Sequence, residues 1–318
     1  MNNPKRKHHY IPIFYLKGFT DTSGKLCVYS KDKTESYSEV LTGVSPAAIG
    51  YEKHGYTVKL PDGTTDSETI ENIFAEKESN AAPLLEKIIG GQKLADNEFS
   101  TFVSDFLVTM AIRTPTTRNM IKPIANTIIK EIALKAKDKE IFREYINNRR
   151  KNGYNIRFSD EEIETERQKY INIDGRYEVD KQESLMWLIL MQDNFNQDFQ
   201  RAYWRVIGPV GEYKFLTSDY PFIYIYEKSK NKKTYIMPLS KDYCIWGSSN
   251  SDFMKMNFKK RTNQIAKKFN YYIVKFAGRH IYCHFKAQSI YGLVKKYKDF
   301  RPEINELKVE ELLKKNHG

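Results

Sequence analysis

The spacing of apolar residues changes once along this chain, and that change limits the folds that it can adopt. Between residues 66 and 200, apolar side chains recur every three or four positions, which is the period of an amphipathic helix. From residue 203 to residue 276 the apolar residues alternate with polar ones, which is the period of a strand. Helices that precede strands, rather than alternating with them, indicate an α+β fold.

Three parts follow from this pattern. Residues 1–65 are predicted to form a small β-containing segment, residues 66–200 a helical region, and residues 201–318 a basic, β-rich region. In the last part we expect a mixed or antiparallel sheet to which helices are added late. We expect the three parts to form one integrated domain, in which the charged helices of residues 117–171 are an insertion.

Capping and breaking signals give the expected bounds of the helices. Thr65 and Glu68 have capping-box spacing, so the first helix is predicted to begin near Thr65 and to end at Gly90. A second helix is predicted over residues 96–113, and a third, apolar all round at its centre, over residues 181–200. Short strands are predicted at 26–30, 56–60, 203–207, 213–216, 222–226, 235–237, 243–246 and 271–276, with late helices near 257–269 and 286–298.

The positive charge of the chain is concentrated in residues 201–318. This part contains 24 lysines and arginines against 10 aspartates and glutamates, whereas the first 200 residues contain 28 against 30. Aromatic residues lie between the basic ones, as stacking on single-stranded bases requires. Nucleic acid is therefore the expected partner, although a solvated basic face has the same composition. The candidate nucleic-acid-binding residues are Lys7, Lys259, Lys260, Arg261, Lys267 and Lys268.

Cysteine content and hydropathy exclude several classes of protein. Three cysteines without a Cys-x-x-Cys spacing make neither a disulfide framework nor a structural zinc site. The longest apolar run, residues 185–191, is far shorter than the roughly 18–20 residues that span a bilayer, and no apolar signal core follows the basic N-terminus. We therefore expect a cytoplasmic protein with no membrane partner. The identity of any protein partner stays open, and a homo-oligomer is one option.

Two adjacent histidines, His8 and His9, lie near the start of the chain. A histidine can act near neutral pH as a general acid, a general base or a metal ligand. Neighbouring side chains diverge in both helices and strands, so a regular element would not direct both rings at one site. Either the backbone is irregular there or one histidine orients the other, and an exposed basic tip is the alternative.

Arg113 falls on the apolar stripe of the second predicted helix. When that helix is projected at about 100° per residue, Arg113 lies between Phe102 and Phe106. A guanidinium there needs a partner, because an unpaired buried charge costs several kcal/mol. Arg113 is therefore half of a buried pair or a clamp for a carboxylate or phosphate, unless the helix ends early and turns it to solvent.

Three carboxylates complete the set of candidate site residues. Asp219 follows an apolar strand, and a strand end commonly presents a carboxylate, although a simple turn explains the same residues. Glu71 and Glu78 are seven residues apart and share one side of the first helix, where they would hold a divalent cation, pair with Arg113 or face solvent. The candidate metal ligands are Asp219 and Glu78, and the candidate ion is Mg²⁺ or Mn²⁺.

Several short motifs, in a fixed order, extend this set. They are Lys7-His8-His9-Tyr10-Ile11-Pro12 with Tyr15-Leu16 and Phe19-Thr20, Arg113-Thr114-Pro115, Phe215-Leu216-Thr217-Ser218-Asp219 with Pro221, and Pro238-Leu239-Ser240. Together they resemble the bacterial and phage domain-of-unknown-function 4238 family, from about Lys7 to about Lys295. The family name assigns no activity, so the resemblance implies a site rather than a reaction. The residues that it implies are His8, His9, Arg113 and Asp219, with Asn263 more loosely placed.

These features favour a nuclease or a related phosphodiester-cleaving effector that acts on RNA or DNA, in the setting of phage–host conflict. His8 or His9 would supply acid–base chemistry, and Arg113 would clamp phosphate. Asp219 would orient a histidine or bind the metal. The first alternative is a non-catalytic nucleic-acid-binding or regulatory protein with a structural His, Arg and Asp core. The second is an enzyme that acts on a nucleotide or another small phosphorylated ligand.

Overall fold

Along the chain, most of the helical residues lie between an N-terminal and a C-terminal group of strands, as the change of period predicts. The computed structural model describes residues 7–59, 63–151, 159–258 and 261–302. The helices are α1 (Ile13–Lys17), α2 (Thr69–Ile89), α3 (Asp96–Thr101) joined by the π-helical turns Phe102–Leu107 to α4 (Val108–Ile112), α5 (Pro115–Ala136), α6 (Lys139–Lys151), α7 (Asp160–Ile171), α8 (Lys181–Leu190), α9 (Gln192–Gln200), α10 (Thr262–Phe276) and α11 (Gln288–Lys296). The strands are β1 (Lys7–His9), β2 (Leu26–Ser30), β3 (Leu41–Val44), β4 (Tyr51–Lys53), β5 (Val58–Lys59), β6 (Thr65–Asp66), β7 (Tyr203–Ile207), β8 (Thr217–Ser218), β9 (Ile223–Glu227), β10 (Lys232–Pro238), β11 (Cys244–Ser248) and β12 (His280–Cys283).

Every sheet in the described part of the chain is antiparallel. One four-stranded sheet has the order β7-β11-β10-β9 and another the order β3-β2-β12-β8, while β1 pairs with β4 and β5 with β6. The second four-stranded sheet joins distant parts of the sequence, because β2 lies beside β12 with Cys27 opposite Cys283. The α+β class is confirmed, and its sheets are antiparallel.

The described residues fall into two compact units. The first consists of residues 7–117 and 188–302 and contains all of the sheets. Its core buries aromatic and aliphatic side chains from the helices and from both four-stranded sheets. Tyr15 and Phe106 are fully buried there, so the N-terminal motif and the helix that carries Arg113 share this core.

The second unit, residues 118–187, is built from helices in its described part. Two small apolar clusters hold it together, one around Phe142 and the other around Ile129. No helix in the described ranges is both long and apolar enough to cross a bilayer.

The first long helix begins later than its capping-box spacing predicts. Thr65 belongs to strand β6, and α2 starts at Thr69. The carboxylate of Asp66 accepts the backbone N–H groups of Glu68 and Thr69 at 2.9 and 3.0 Å. Asp66 therefore satisfies the free N–H groups at the start of the helix, and the predicted role of Thr65 is wrong.

The strand predicted at residues 271–276 is also wrong, because these residues form the last turns of α10. Ala266, Phe269 and Ile273 are buried at helical spacing, so the apolar stripe of α10 continues through the apparent alternation. The strand predicted at 213–216 is absent, and ladder pairing begins only at Thr217. The helix predicted at 181–200 is divided into α8 and α9.

Candidate functional site

Strand β1 carries both histidines of the N-terminal motif. It pairs with β4, so that His8 lies opposite Glu52 and His9 lies opposite Tyr51. Because neighbouring residues of a strand point to opposite faces, the two imidazoles have different surroundings. The pair of adjacent histidines therefore presents one enclosed ring and one accessible ring.

His8 is enclosed by the protein, with 1% of its surface exposed. Its ring stacks on that of Tyr56 at a centroid distance of 5.3 Å, and its Nδ1 accepts the backbone N–H of Tyr56 at 2.8 Å. An imidazole nitrogen that accepts an N–H bond carries no proton, so the remaining proton of neutral His8 is on Nε2. These contacts tie β1 to the segment around Tyr56 and suit a structural role for His8.

His9 is half-buried. Its Nε2 lies 3.4 Å from the carbonyl oxygen of Ala47, and since a carbonyl only accepts, Nε2 carries the proton and Nδ1 carries the lone pair. Burial lowers the pKa of the His9 imidazole below its ordinary value of 6.5, although the Ala47 contact and the charge of Glu71 oppose this effect. The lowered pKa favours the neutral form of His9 at pH 7, which is the form that accepts a proton.

Arg113 is buried and paired inside the protein. It is 1% exposed, and its guanidinium lies 4.9 Å from the centre of the Phe74 ring. Nη1 donates to the Glu78 carboxylate at 2.6 Å and Nε to the Tyr56 hydroxyl at 3.3 Å, while Nη2 donates to the backbone carbonyl of His9. Each nitrogen of the guanidinium thus has a protein acceptor, and Arg113 fixes the backbone at His9.

Helix α2 brings two carboxylates to the same place. Glu71 and Glu78 lie two turns apart on this helix, and the charges of both raise the pKa of His9 against its burial. The side chain of Glu78 is 29% exposed, so the ion pair with Arg113 borders on solvent. We refer to His8, His9, Tyr56, Glu71, Glu78 and Arg113 as the histidine–arginine cluster.

Asp219 makes its contacts elsewhere, with the turn that leads into β12. Its Oδ1 accepts the N–H of Gly278 at 2.9 Å, and its Oδ2 accepts the N–H groups of Arg279 and His280 at 2.7 and 3.0 Å. Asp219 is 6% exposed, and its partners in the described part of the chain do not include His9 or Arg113. We call Asp219 with residues 278–280 the Asp219 turn.

The two candidate metal ligands are both engaged by groups of the protein. Glu78 accepts from Arg113, and Asp219 accepts three backbone N–H groups. In the ranges that the structure describes, no group of three or more His, Cys, Asp or Glu residues is arranged to hold a metal ion. This donor set does not fit a Mg²⁺ or Mn²⁺ centre built on Glu78 and Asp219, and we derive no chemical step through a metal.

The motifs that form the histidine–arginine cluster and the Asp219 turn lie within one family match. A model described as "Protein of unknown function (DUF4238)" matches residues 7–287, which is most of the chain. The chain belongs to the DUF4238 family. The resemblance that the motifs predict is thereby confirmed, and the match includes the histidine–arginine cluster and the Asp219 turn. No curated protein matches the chain, and no solved structure does.

Three of the motif segments of this DUF4238 protein, those with Tyr15, Thr217 and Pro238, meet in the core of the first unit. The hydroxyl of Tyr15 lies 2.7 Å from the Thr217 hydroxyl and donates to the Pro238 carbonyl at 2.8 Å. Asn263, the more loosely placed residue, accepts the N–H of Gly211 through Oδ1 at 3.0 Å. These contacts hold segments of the fold together, and none of them leads into the histidine–arginine cluster.

The predicted nucleic-acid-binding residues are exposed wherever they are described. Lys7 lies over the Tyr51 ring at 4.7 Å, next to the histidines. Two more lie on α10 and one immediately before it, namely Lys267, Lys268 and Arg261. The remaining two, Lys259 and Lys260, lie outside the described residues.

Tyr56 and Ala47 are site residues that the sequence reasoning missed. Tyr56 contacts His8 and Arg113, which are 48 and 57 residues away in the chain, and Ala47 contributes only a backbone carbonyl. The one available signal for Tyr56 was its place at the start of a short predicted strand. Neither residue has a side-chain pattern that indicates its partner.

Proposed function

We propose that this DUF4238 protein cleaves phosphodiester bonds in RNA or DNA, with His9 as the group that accepts the proton. The environment of His9 is the observation that supports this most strongly. Its imidazole is half-buried, has a pKa that this burial lowers, and lies within the electrostatic influence of two carboxylates and a guanidinium. Perturbed titratable groups of this kind are typical of sites that transfer protons.

The proposed reaction uses Nδ1 of His9 as a general base. A water molecule or a ribose hydroxyl attacks phosphorus, its proton passes to Nδ1, and the bond from phosphorus to the leaving oxygen breaks. The leaving oxygen takes a proton from solvent, and His9 returns its own proton to solvent afterwards. The uneven charge of the chain supports a polyanionic substrate, because the basic residues 201–318 would attract it.

Arg113 acts in this proposal as a positioning residue and not as a phosphate clamp. Three of its five N–H groups donate to Glu78, Tyr56 and the carbonyl of His9, and the residue is only 1% exposed, so contact with a phosphate would require the surrounding groups to move. By holding the His9 carbonyl it fixes where the imidazole lies. A place in phage–host conflict suits such an activity and stays part of the proposal.

A non-catalytic nucleic-acid-binding protein is the second candidate, and a specific observation favours it. His8, Arg113 and Asp219 are each less than a tenth exposed and are bonded to other groups of the protein. In that case the motif residues would only hold the fold together, and His9 would be one more surface histidine.

A cleavage assay with matched histidine variants separates the two candidates. Labelled single-stranded RNA and DNA are incubated with wild type, His9→Ala and His54→Asn, with and without EDTA. His54 is exposed and adopts a left-handed backbone (φ 53°) that asparagine tolerates, so its variant controls for the loss of an imidazole. We expect His9→Ala alone to lose cleavage at a temperature at which all three proteins are folded. Wild type that binds nucleic acid but never cleaves it would establish the binding protein instead.

A further inference from the structure

A groove beside the start of α10 is not part of the histidine–arginine cluster. Its volume is about 630 Å³, and its lining includes Trp246, Phe258, Phe269, Arg261 and Lys268. This volume lies within the roughly 300–1,000 Å³ of sites that hold small ligands. The groove combines aromatic walls with positive charge, and each part has its own chemical consequence.

The aromatic wall is built around Trp246. This half-buried indole packs against Phe253, Phe258 and Phe269 at centroid distances of 4.8, 4.9 and 5.1 Å. The packing holds the ring in one orientation, so that stacking on it costs little side-chain entropy. Nε1 of Trp246 is shielded from solvent and has no hydrogen-bond acceptor in the described ranges. Because this N–H lies in the plane of the ring and is shielded, a ligand that stacks on Trp246 uses the face of the indole and not its N–H.

The charged side of the groove comes from the first turns of α10. Arg261 and Lys268 are exposed and line the groove, and neither forms an ion pair with a carboxylate among the described residues. Two uncompensated cations beside an aromatic wall attract a ligand that is both flat and anionic. The surrounding part of the chain carries the same excess of positive charge, with 24 basic against 10 acidic residues.

We propose that this groove binds one unpaired base of single-stranded nucleic acid, with the base against Trp246 and Phe258 and a neighbouring phosphate at Arg261 and Lys268. A base has a flat face to stack and a phosphate within reach of the two cations. Bases in a duplex are already stacked and paired, so they present no free face. The inference rests on the proposed nucleic-acid substrate and narrows it to single strands.

Binding measurements with two double variants of equal charge test the groove. Affinities for labelled oligo(dT) and oligo(U) are measured for wild type, Arg261→Ala/Lys268→Ala and Lys295→Ala/Lys296→Ala. The control pair removes the same charge from exposed positions on α11. We expect the groove variant to bind roughly tenfold more weakly at low salt and the control to change much less. Equal weakening by both variants would overturn the groove as the binding place.

Variants of Trp246 test the stacking separately from the charge. We expect Trp246→Leu to weaken binding by roughly tenfold or more, the scale of one stacked base, and Trp246→Phe to recover part of it. If Trp246→Leu fails to fold, the exposed Arg261 and Lys268 variants still decide the question. If a single strand and a duplex of the same sequence bind with equal affinity, the groove does not select an unpaired base and the proposal is wrong. If adenosine monophosphate binds tightly and the oligonucleotides do not bind, the groove holds a mononucleotide, and the proposal that it binds single-stranded nucleic acid is wrong.

The outcomes separate this inference from the proposed function. If wild type cleaves oligonucleotides and the cleavage depends on His9, but the groove variants bind them normally, only the groove is wrong. If wild type neither binds nor cleaves any nucleic acid, the proposed function fails together with the groove. If the groove variants lose binding while cleavage is never observed, the groove proposal is correct and the protein binds nucleic acid without cleaving it.

Discussion

Arg113 and Asp219 are both buried charges from motifs of one family, and they are neutralised in different ways. Arg113 is paired with the side chain of Glu78 on another helix, and 29% of that side chain is exposed. Asp219 accepts three N–H groups from consecutive residues of one turn. A side-chain partner can rotate away when a ligand arrives, whereas the N–H groups of a turn leave only when the turn unfolds.

This difference gives the histidine–arginine cluster and the Asp219 turn different chemical capabilities. The histidine–arginine cluster borders on solvent and contains a neutral imidazole, so proton transfer is feasible there. The Asp219 turn is closed, and its carboxylate already has strong partners. We therefore expect substitutions in the cluster to change chemistry as well as stability, and substitutions in the Asp219 turn to change stability alone.

Arg113→Met is expected to have the largest effect. It removes one member of a buried ion pair, and the His9 carbonyl then keeps only the donation from the Tyr56 hydroxyl at 3.2 Å, so the free energy of unfolding falls by about 3–5 kcal/mol. Denaturant unfolding measures this loss. The control is Arg279→Met, the same exchange at a side chain that is 72% exposed, which we expect to cost less than about 1 kcal/mol.

A double variant sharpens the result for Arg113. With Glu78→Gln added, no unpaired carboxylate remains, so the double variant should lose less stability than the sum of the two single losses. Strict additivity would show that the Arg113–Glu78 contact contributes nothing, and the comparison with Asp219 would fail.

Asp219→Asn is expected to have the next largest effect, a loss of about 1.5–3 kcal/mol, because one carboxylate oxygen that accepts N–H groups becomes an NH₂ donor facing them. Cleavage measured well below the melting temperature should be close to that of wild type. The comparison breaks if Asp219→Asn loses cleavage while its melting temperature is unchanged, since Asp219 would then be part of the chemistry.

The sequence was sufficient for the parts of the site that depend on helical periodicity. The apolar stripe predicted that Arg113 is buried, and the seven-residue spacing predicted that Glu71 and Glu78 share one side of α2. The Arg113–Glu78 pair was one of the stated options. The projection assumed a regular α-helix, whereas Phe102–Leu107 is π-helical. The projection therefore predicted the burial of Arg113 correctly, but not the direction of Arg113 around the helix axis.

Contacts between distant segments could not be predicted in the same way. Asp219 has its partners about 60 residues later in the chain, and they are backbone N–H groups that no side-chain pattern records. Tyr56 likewise joins His8 to Arg113 across two long intervals. The false strand at 271–276 has a related cause, because alternation over six residues does not distinguish a strand from the buried end of a helix.

Gly50→Ala tests whether the cluster depends on its backbone anchor. Gly50 has φ +67°, its carbonyl accepts the N–H groups of Tyr10 and Ile11, and an added Cβ would lie 2.9 Å from Cβ of Ile11. We expect a loss of about 1–3 kcal/mol in unfolding free energy and a larger relative loss of cleavage. Gly43→Ala is the matched control, since Gly43 has φ +70° and open space at its Cβ position. Equal losses in the two variants would show that the Ile11 contact is unimportant.

The smallest expected effect is a change in the pH dependence of cleavage, and it tests the chemistry of the cluster directly. A general base works in its neutral form, so activity rises as the pH increases through the pKa of His9. Burial places that pKa below 6.5, and the acid limb of the wild-type profile should therefore lie below pH 6.5. Glu71→Gln removes a charge that raises the pKa, so the pKa falls further and the limb moves to lower pH.

Glu76→Gln is the control for that shift, because Glu76 is exposed on the same helix and carries the same charge. We expect its profile to match that of wild type. A limb that stays in place in Glu71→Gln, or moves to higher pH, would mean that the titrating group is not His9 beside Glu71. The distinction between a solvent-bordering cluster that does chemistry and a closed turn that only stabilises the fold would then lose its strongest support.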